Sequence, residues 1–310
     1  MSSPYIIGYV GLLEDAPLLV AFSQGWFRKE SLDVELSHEL GWAALNAKLT
    51  KGALAAGNVP ALSPLVLGRR PDRTGHSALQ VLAMTSFGGL KLVASSEVAS
   101  SLGQKKNLPL PLRIGVGVPF GDSQLLLRAW QQSRGLQGGD ITTVPIAVSQ
   151  FVDALKEGYV HGFIAAEPIV SEAVLGLVGS SVARSHDYFP YHARSVLAAR
   201  ESFVLEEPQA CETIRRVMQR ASIYCAQPEN WASICEALPR HKGTEPGFDL
   251  KKMEFPEDMF FDLTTARTTD RAGIDFLIRA CLATDPAWRE QDIKTAITRS
   301  YKRFFVPVAI

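Results

Sequence analysis

The spacing of apolar positions changes repeatedly along this chain, and each change predicts an element. Residues 5–10 form a short, almost continuous apolar run, the pattern of a buried strand. Beyond Asp15 the apolar residues Leu18, Leu19, Phe22 and Trp26 recur at helical spacing. A carboxylate at a helix entrance accepts from free backbone N–H groups, so Asp15 is expected to cap the amides beyond Pro17. Residues 32–36 then alternate apolar and polar, the mark of a strand with one wet face, and the opening reads β-α-β. Trp42, Leu45 and Leu49 predict the next helix. A strand over 54–61, a short helix over 62–67 and strands at 81–86 and 90–95 follow.

Residues 96–111 mix Ser, Gly, Lys, Asn and Pro without periodicity and read as a boundary or crossover. After them strands at 112–118, 141–146 and 161–166 alternate with helices at 123–134, 149–159 and 169–177, the second of these helices with Phe151, Val152, Leu155 and Tyr159 turned inward. Strands separated by helices of this length imply a parallel sheet with right-handed crossovers. A returning strand at 195–200 precedes a helical tail whose apolar faces carry Ile214, Val217, Ala221 and Cys225, then Ile274, Leu277, Ala280 and Cys281, then Ile293, Ile297 and Tyr301. The expected fold class is α/β, with two doubly wound lobes: residues 1–96 plus 197–310 in the first and 97–196 in the second. Ligands of such lobes bind at the C-terminal ends of the strands, which places a ligand cleft between them.

Composition narrows the function. Among 310 residues, 32 basic side chains balance 32 acidic ones, so the chain lacks the basic surplus that a phosphate backbone demands. Its basic clusters, Arg69-Arg70 with Arg73 and Lys105-Lys106, are small and read as solvated loops, and no direct nucleic-acid partner is expected. No apolar run approaches the roughly 18 residues that span a bilayer, and membrane insertion is not expected. The N-terminal residues show no basic and apolar export pattern, which predicts a cytoplasmic protein, or a periplasmic one if an export signal lay upstream of Met1. Cys211, Cys225, Cys235 and Cys281 lack CxxC spacing and read as buried reduced thiols. The glycines of 115–121 are spaced one residue too far apart for a dinucleotide loop, and no Walker lysine, HExxH or GxSxG motif occurs. His186 and His192 have no partner at ligand spacing. Neither a cofactor nor a metal is expected.

Several segments together carry a resemblance. Tyr9-Val10-Gly11-Leu12-Leu13-Glu14-Asp15-Ala16-Pro17-Leu18-Leu19-Val20-Ala21, then Gly25-Trp26-Phe27 and Leu32-Asp33-Val34-Glu35-Leu36, resemble the opening of substrate-binding proteins of nitrate and bicarbonate ABC importers. Trp42 after a short polar link, the run 119–130, Gly162-Phe163-Ile164-Ala165-Ala166-Glu167-Pro168 and Gly273-Ile274-Asp275-Phe276-Leu277-Ile278-Arg279 stand in that family's order. The resemblance implies a type II periplasmic-binding-protein fold that closes on a small ligand without catalysis. It also implies a site. Trp42 matches unchanged, whereas Ser123 and Ser195 stand where nitrate binders carry a histidine and a lysine, and Gly88-Gly89 stands where a glutamine would reach in. His192 and Arg194 are the nearest cations.

A small anion in a closed cleft must exchange its water shell for donors, because burying an uncompensated charge is prohibitive. The candidate ligand-binding residues are therefore Trp42 as a flat platform with an indole donor, Arg194 and His192 as cations, and Ser123, Ser195 and Gly89 at the matched positions. Glu167 lies at a strand-to-helix turn and Asp15 at a helix entrance. Some unexported relatives sense nitrate or nitrite and hold an RNA-binding antiterminator protein. The expected function is such a cytosolic sensor of a small anion. One alternative is the substrate-binding component of an ABC importer, with a permease as its partner. Another is a small-molecule biosynthetic enzyme on the same fold, drawing on His161, His192, Glu167 or Asp122.

Overall fold

The computed structural model describes residues 3–69, 78–104, 108–117, 121–239, 250–261, 271–285 and 287–301. Among these, the strands in chain order are β1 Tyr5–Tyr9, β2 Val34–His38, β3 Ala56–Pro60, β4 Leu79–Gly88, β5 Lys91–Ser95, β6 Leu112–Val116, β7 Ile141–Pro145, β8 Gly162–Ala165, β9 Gly179–Arg184, β10 Ala193–Arg200 and β11 Met259–Phe260. They form two sheets, ordered β11-β4-β10-β3-β1-β2 and β7-β6-β8-β5-β9. Helices clothe both, and the molecule has the type II periplasmic-binding-protein architecture.

Both sheets are mixed, where the sequence pattern predicts parallel ones. β1 pairs in parallel with β2 and β3, and β6 with β7 and β8. By contrast β10 runs antiparallel to β3 and β4, and β5 antiparallel to β8 and β9. The reason is topological: β5 and β10 carry the chain from one sheet to the other and back, so neither follows a crossover helix within its own sheet.

Three further expectations change. The aperiodic stretch 96–111 contains the helix Ser96–Gln104, whose run of serines hides its apolar face. Tyr159 lies 58% exposed, because the helix Phe151–Lys156 stops before reaching it. Phe22 also stands 39% exposed, since the helix Ala16–Ser23 ends at Gly25 in the left-handed region and Trp26 opens a separate turn. Arg70, Arg73, Lys105 and Lys106 of the two basic clusters and residues 118–120 lie outside the described residues, as do the side chains of Arg69 and Ile274. All four cysteines are buried thiols, and no described helix is long and apolar enough to cross a membrane.

One packing detail positions the site. Gly8 on β1 faces Gly57 on β3, and a Cβ at either would meet Leu45 or Leu54 within 2.7 Å. Two missing side chains thus let the fully buried Leu45 sink onto the sheet, worth about 1.5–3 kcal/mol. Leu45 anchors the helix Trp42–Lys51, so its first residue is held at the C-terminal end of the sheet.

Candidate functional site

The C-terminal ends of β1, β2 and β3 face the C-terminal end of β6 across the gap between the sheets. Trp42 enters this gap from the first sheet and is 7% exposed. Its ring covers Gly117 after β6, where a Cβ would stand 2.8 Å from the indole and 3.0 Å from Val148. The Arg194 guanidinium lies 5.4 Å from the centre of the same ring, within cation–π range. A crossing hydrogen bond, from the Leu13 N–H to the Glu167 carbonyl at 2.9 Å, ties the sheets together nearby.

Arg194 is 3% exposed and already engaged. Its Nη2 lies 2.8 Å from Glu14 Oε1 and its Nη1 lies 3.2 Å from Asp122 Oδ2. The Arg194–Asp122 contact is aligned as a hydrogen bond, whereas the Glu14 contact is close without that alignment. Glu14 is 1% exposed, and neither of its carboxylate oxygens has a hydrogen-bond partner among the described residues. Burial pushes the Glu14 carboxyl up to about 7, with Arg194 opposing and Asp15 and Asp122 reinforcing the shift. His192, 2% exposed, has Nδ1 2.9 Å from the Phe189 carbonyl. A carbonyl only accepts, so Nδ1 carries the proton. Burial holds the imidazole below its ordinary pKa, against the pull of Asp122, and leaves Nε2 as an unpartnered acceptor 4.0 Å from Asp122 Oδ2.

Asp15 does not cap the amides beyond Pro17. Its Oδ2 reaches backward to the N–H groups of Val10, Gly11 and Leu12 at 3.2, 2.7 and 3.0 Å, and its Oδ1 accepts from Asn58 at 2.5 Å. Pro17 offers no amide proton, and the 3-10 turn Leu13–Asp15 places the carboxylate behind the helix instead. The turn amides after β1 are thereby committed to Asp15. From Asn58 the polar chain continues through Thr85 at 2.7 Å to the Ser195 hydroxyl at 3.2 Å, which meets Ser86 at 2.9 Å. Ser195 therefore lies beneath the gap, bonded to its own sheet.

Ser123 is 7% exposed in the first turn of the helix Asp122–Ser133, and its N–H donates to Asp122 Oδ1 at 2.9 Å. Glu167 and Gly89 belong to a second cluster. Glu167 accepts from the Ser171 N–H at 2.8 Å and pairs with Lys91 at 3.2 Å; Lys91 also stands 3.5 Å from Asp258. Gly89, in the left-handed region, donates its N–H to the Asp258 carbonyl at 2.9 Å. The structure thus gathers Trp42, Arg194, His192 and Ser123, sets Asp15 and Ser195 behind them, and places Glu167 and Gly89 at the crossing between the sheets. Sequence reading passed over Glu14 and Asn58. A charged pair interrupting the apolar run 10–21 is the signal that points to Glu14; nothing in sequence marks Asn58. Among the described residues no group of three metal-ligating side chains comes together.

The chain belongs to the NMT1-like family, whose model matches residues 3–239. It is 27% identical over 248 residues to the bicarbonate transport ATP-binding protein CmpC of Synechococcus elongatus, covering 75% of this chain and 37% of CmpC. It is 24% identical over 253 residues to the bicarbonate-binding protein CmpA of the same organism, covering 75% of this chain and 56% of CmpA. It therefore spans from about a third to just over half of the length of these relatives. The crystal structure of the periplasmic nitrate-binding protein NrtA from Synechocystis PCC 6803 superposes with a TM-score of 0.78 at 17% identity, over 96% of this chain and 88% of that one. That likeness establishes the fold, and the family is one of ligand-binding proteins.

Proposed function

We propose that this chain is the substrate-binding component of an importer of the ABC type. It takes a small oxyanion, of the nitrate or hydrogencarbonate kind, between its two sheets, which act as two lobes. One observation carries the reading: Trp42 and Arg194, a flat ring and a guanidinium from the first sheet, are buried together against the Gly117 turn of the second. A guanidinium beside a ring offers planar donors to a planar ion, and closure excludes competing water. The relatives named for bicarbonate transport and bicarbonate binding support an importer over the cytosolic sensor with its antiterminator partner. A permease is then the expected protein partner, and the role is binding rather than catalysis.

Thermal denaturation with nitrate, nitrite and hydrogencarbonate, each at pH 6 and pH 8, tests the reading. A ligand present at one hundred times its dissociation constant adds about 2.7 kcal/mol. Trp42→Ala is expected to remove the stabilisation. If none of these anions raises the melting temperature at either pH, the oxyanion reading is wrong.

A further inference from the structure

The seat holds more acceptors than donors. Among the described residues Arg194 is the one guanidinium that faces Glu14, and Asp122 shares it. Glu14 Oε2 and His192 Nε2 are buried without hydrogen-bond partners among the described residues, and so is one donor, Arg194 Nε. An oxyanion can place an oxygen on that donor, but its other oxygens then face the unpartnered acceptors of Glu14 and His192. In a water-excluded gap two facing acceptors are prohibitive unless a proton lies between them, on the carboxyl or on the ligand.

Burial raises the Asp15 carboxyl too, but four hydrogen bonds to its oxygens favour the ionised form and oppose that rise, so Asp15 yields less readily than Glu14. Asp122 holds a bond from Arg194 and another from the Ser123 amide. Glu14 has the unaligned Arg194 contact and no well-aligned hydrogen bond among the described residues. The charged and titratable groups facing it are Arg194 from β10, Asp122 from the helix Asp122–Ser133 and Asp15 from its own turn; His192 faces Asp122 and Arg194.

We propose that the seat takes an oxyanion together with one proton, shared between the ligand and Glu14. An anion with its own hydroxyl, such as hydrogencarbonate, supplies that proton and donates to the Glu14 carboxylate. An acceptor-only anion such as nitrate binds only when Glu14 has taken a proton from solvent and donates in turn. The inference rests on the oxyanion reading and makes Glu14 the residue that separates these two ligand types. With the carboxyl titrating at about 7 in the absence of ligand, its protonated fraction falls about tenfold between pH 6 and pH 8.

Isothermal calorimetry on the whole chain provides the test. Nitrate is expected to bind about tenfold more weakly at pH 8 than at pH 6. At pH 8, titrations in two buffers of different ionisation heat should give nearly one proton taken up per nitrate and none per hydrogencarbonate. Glu14→Gln replaces the protonated carboxyl with a permanent donor, so its nitrate affinity should be equal at the two pH values. Nitrate affinity that is unchanged or tighter at pH 8, or a pH dependence that survives Glu14→Gln, overturns the proposal and leaves the oxyanion reading standing. Failure of both anions to bind wild-type protein at either pH overturns the two together. The wild-type measurements decide even if the variant does not fold.

Discussion

Among the described residues, two cations each stand between two carboxylates. Arg194 lies between Glu14 and Asp122, fully buried, and Lys91 lies between Glu167 and Asp258 with 18% of its side chain exposed. The charge arithmetic is the same, yet the consequences differ. Around Lys91, solvent reaches the cation and Glu167 has a second donor in the Ser171 amide. Around Arg194 solvent is excluded, and although Asp122 has a second donor in the Ser123 amide, burial beside two further carboxylates pushes the Glu14 carboxyl up to about 7. Burial, more than the count of charges, is what raises the Glu14 carboxyl.

Breaking the buried cluster should cost most. Arg194→Met leaves Glu14 and Asp122 without their cation and is expected to destabilise the protein by about 3–5 kcal/mol at pH 8, read from urea unfolding. Glu14→Gln should act in the opposite direction. A carboxyl whose folded pKa is raised contributes stability that is complete below about 4.5 and lost as the pH climbs through about 7. The variant is therefore expected to exceed wild type by roughly 3 kcal/mol at pH 8 and to match it near pH 4.5. His192 has the opposite sign, because its lowered pKa makes its contribution fade as the pH falls below about 6.5; it remains in both proteins and cancels in the comparison. The smallest effect belongs to Lys91→Met, about 1 kcal/mol at low salt and less in 1 M salt. A Lys91→Met loss as large as that of Arg194→Met would erase the distinction between the clusters.

The fold was legible where period and breaker residues agree, as in β1, the helix beginning at Trp42 and the alternation from β6 to β8. Strand direction was not. Nothing local distinguishes β5 or β10 from a parallel strand, because antiparallel pairing there follows from where the chain crosses between sheets. The site was legible by residue type more than by role. Trp42, Arg194 and His192 do converge, but the donor set expected of Arg194 is largely taken by carboxylates contributed by distant segments. Asp15 shows the same limit: its helix-entrance position predicts a cap, whereas Pro17 and Asn58 turn it toward the preceding turn.

Phe276 belongs to the helix Arg271–Thr284, which packs on the helix Asp122–Ser133, and its ring lies 4.7 Å from that of His192 and 5.7 Å from that of Phe189. The tail of the chain therefore bridges the gap from outside. Any swing that widens the gap must drag this helix along or peel Phe276 from the imidazole, which would let water reach Asp122. Access to the seat and the docking of the tail are one mechanical event.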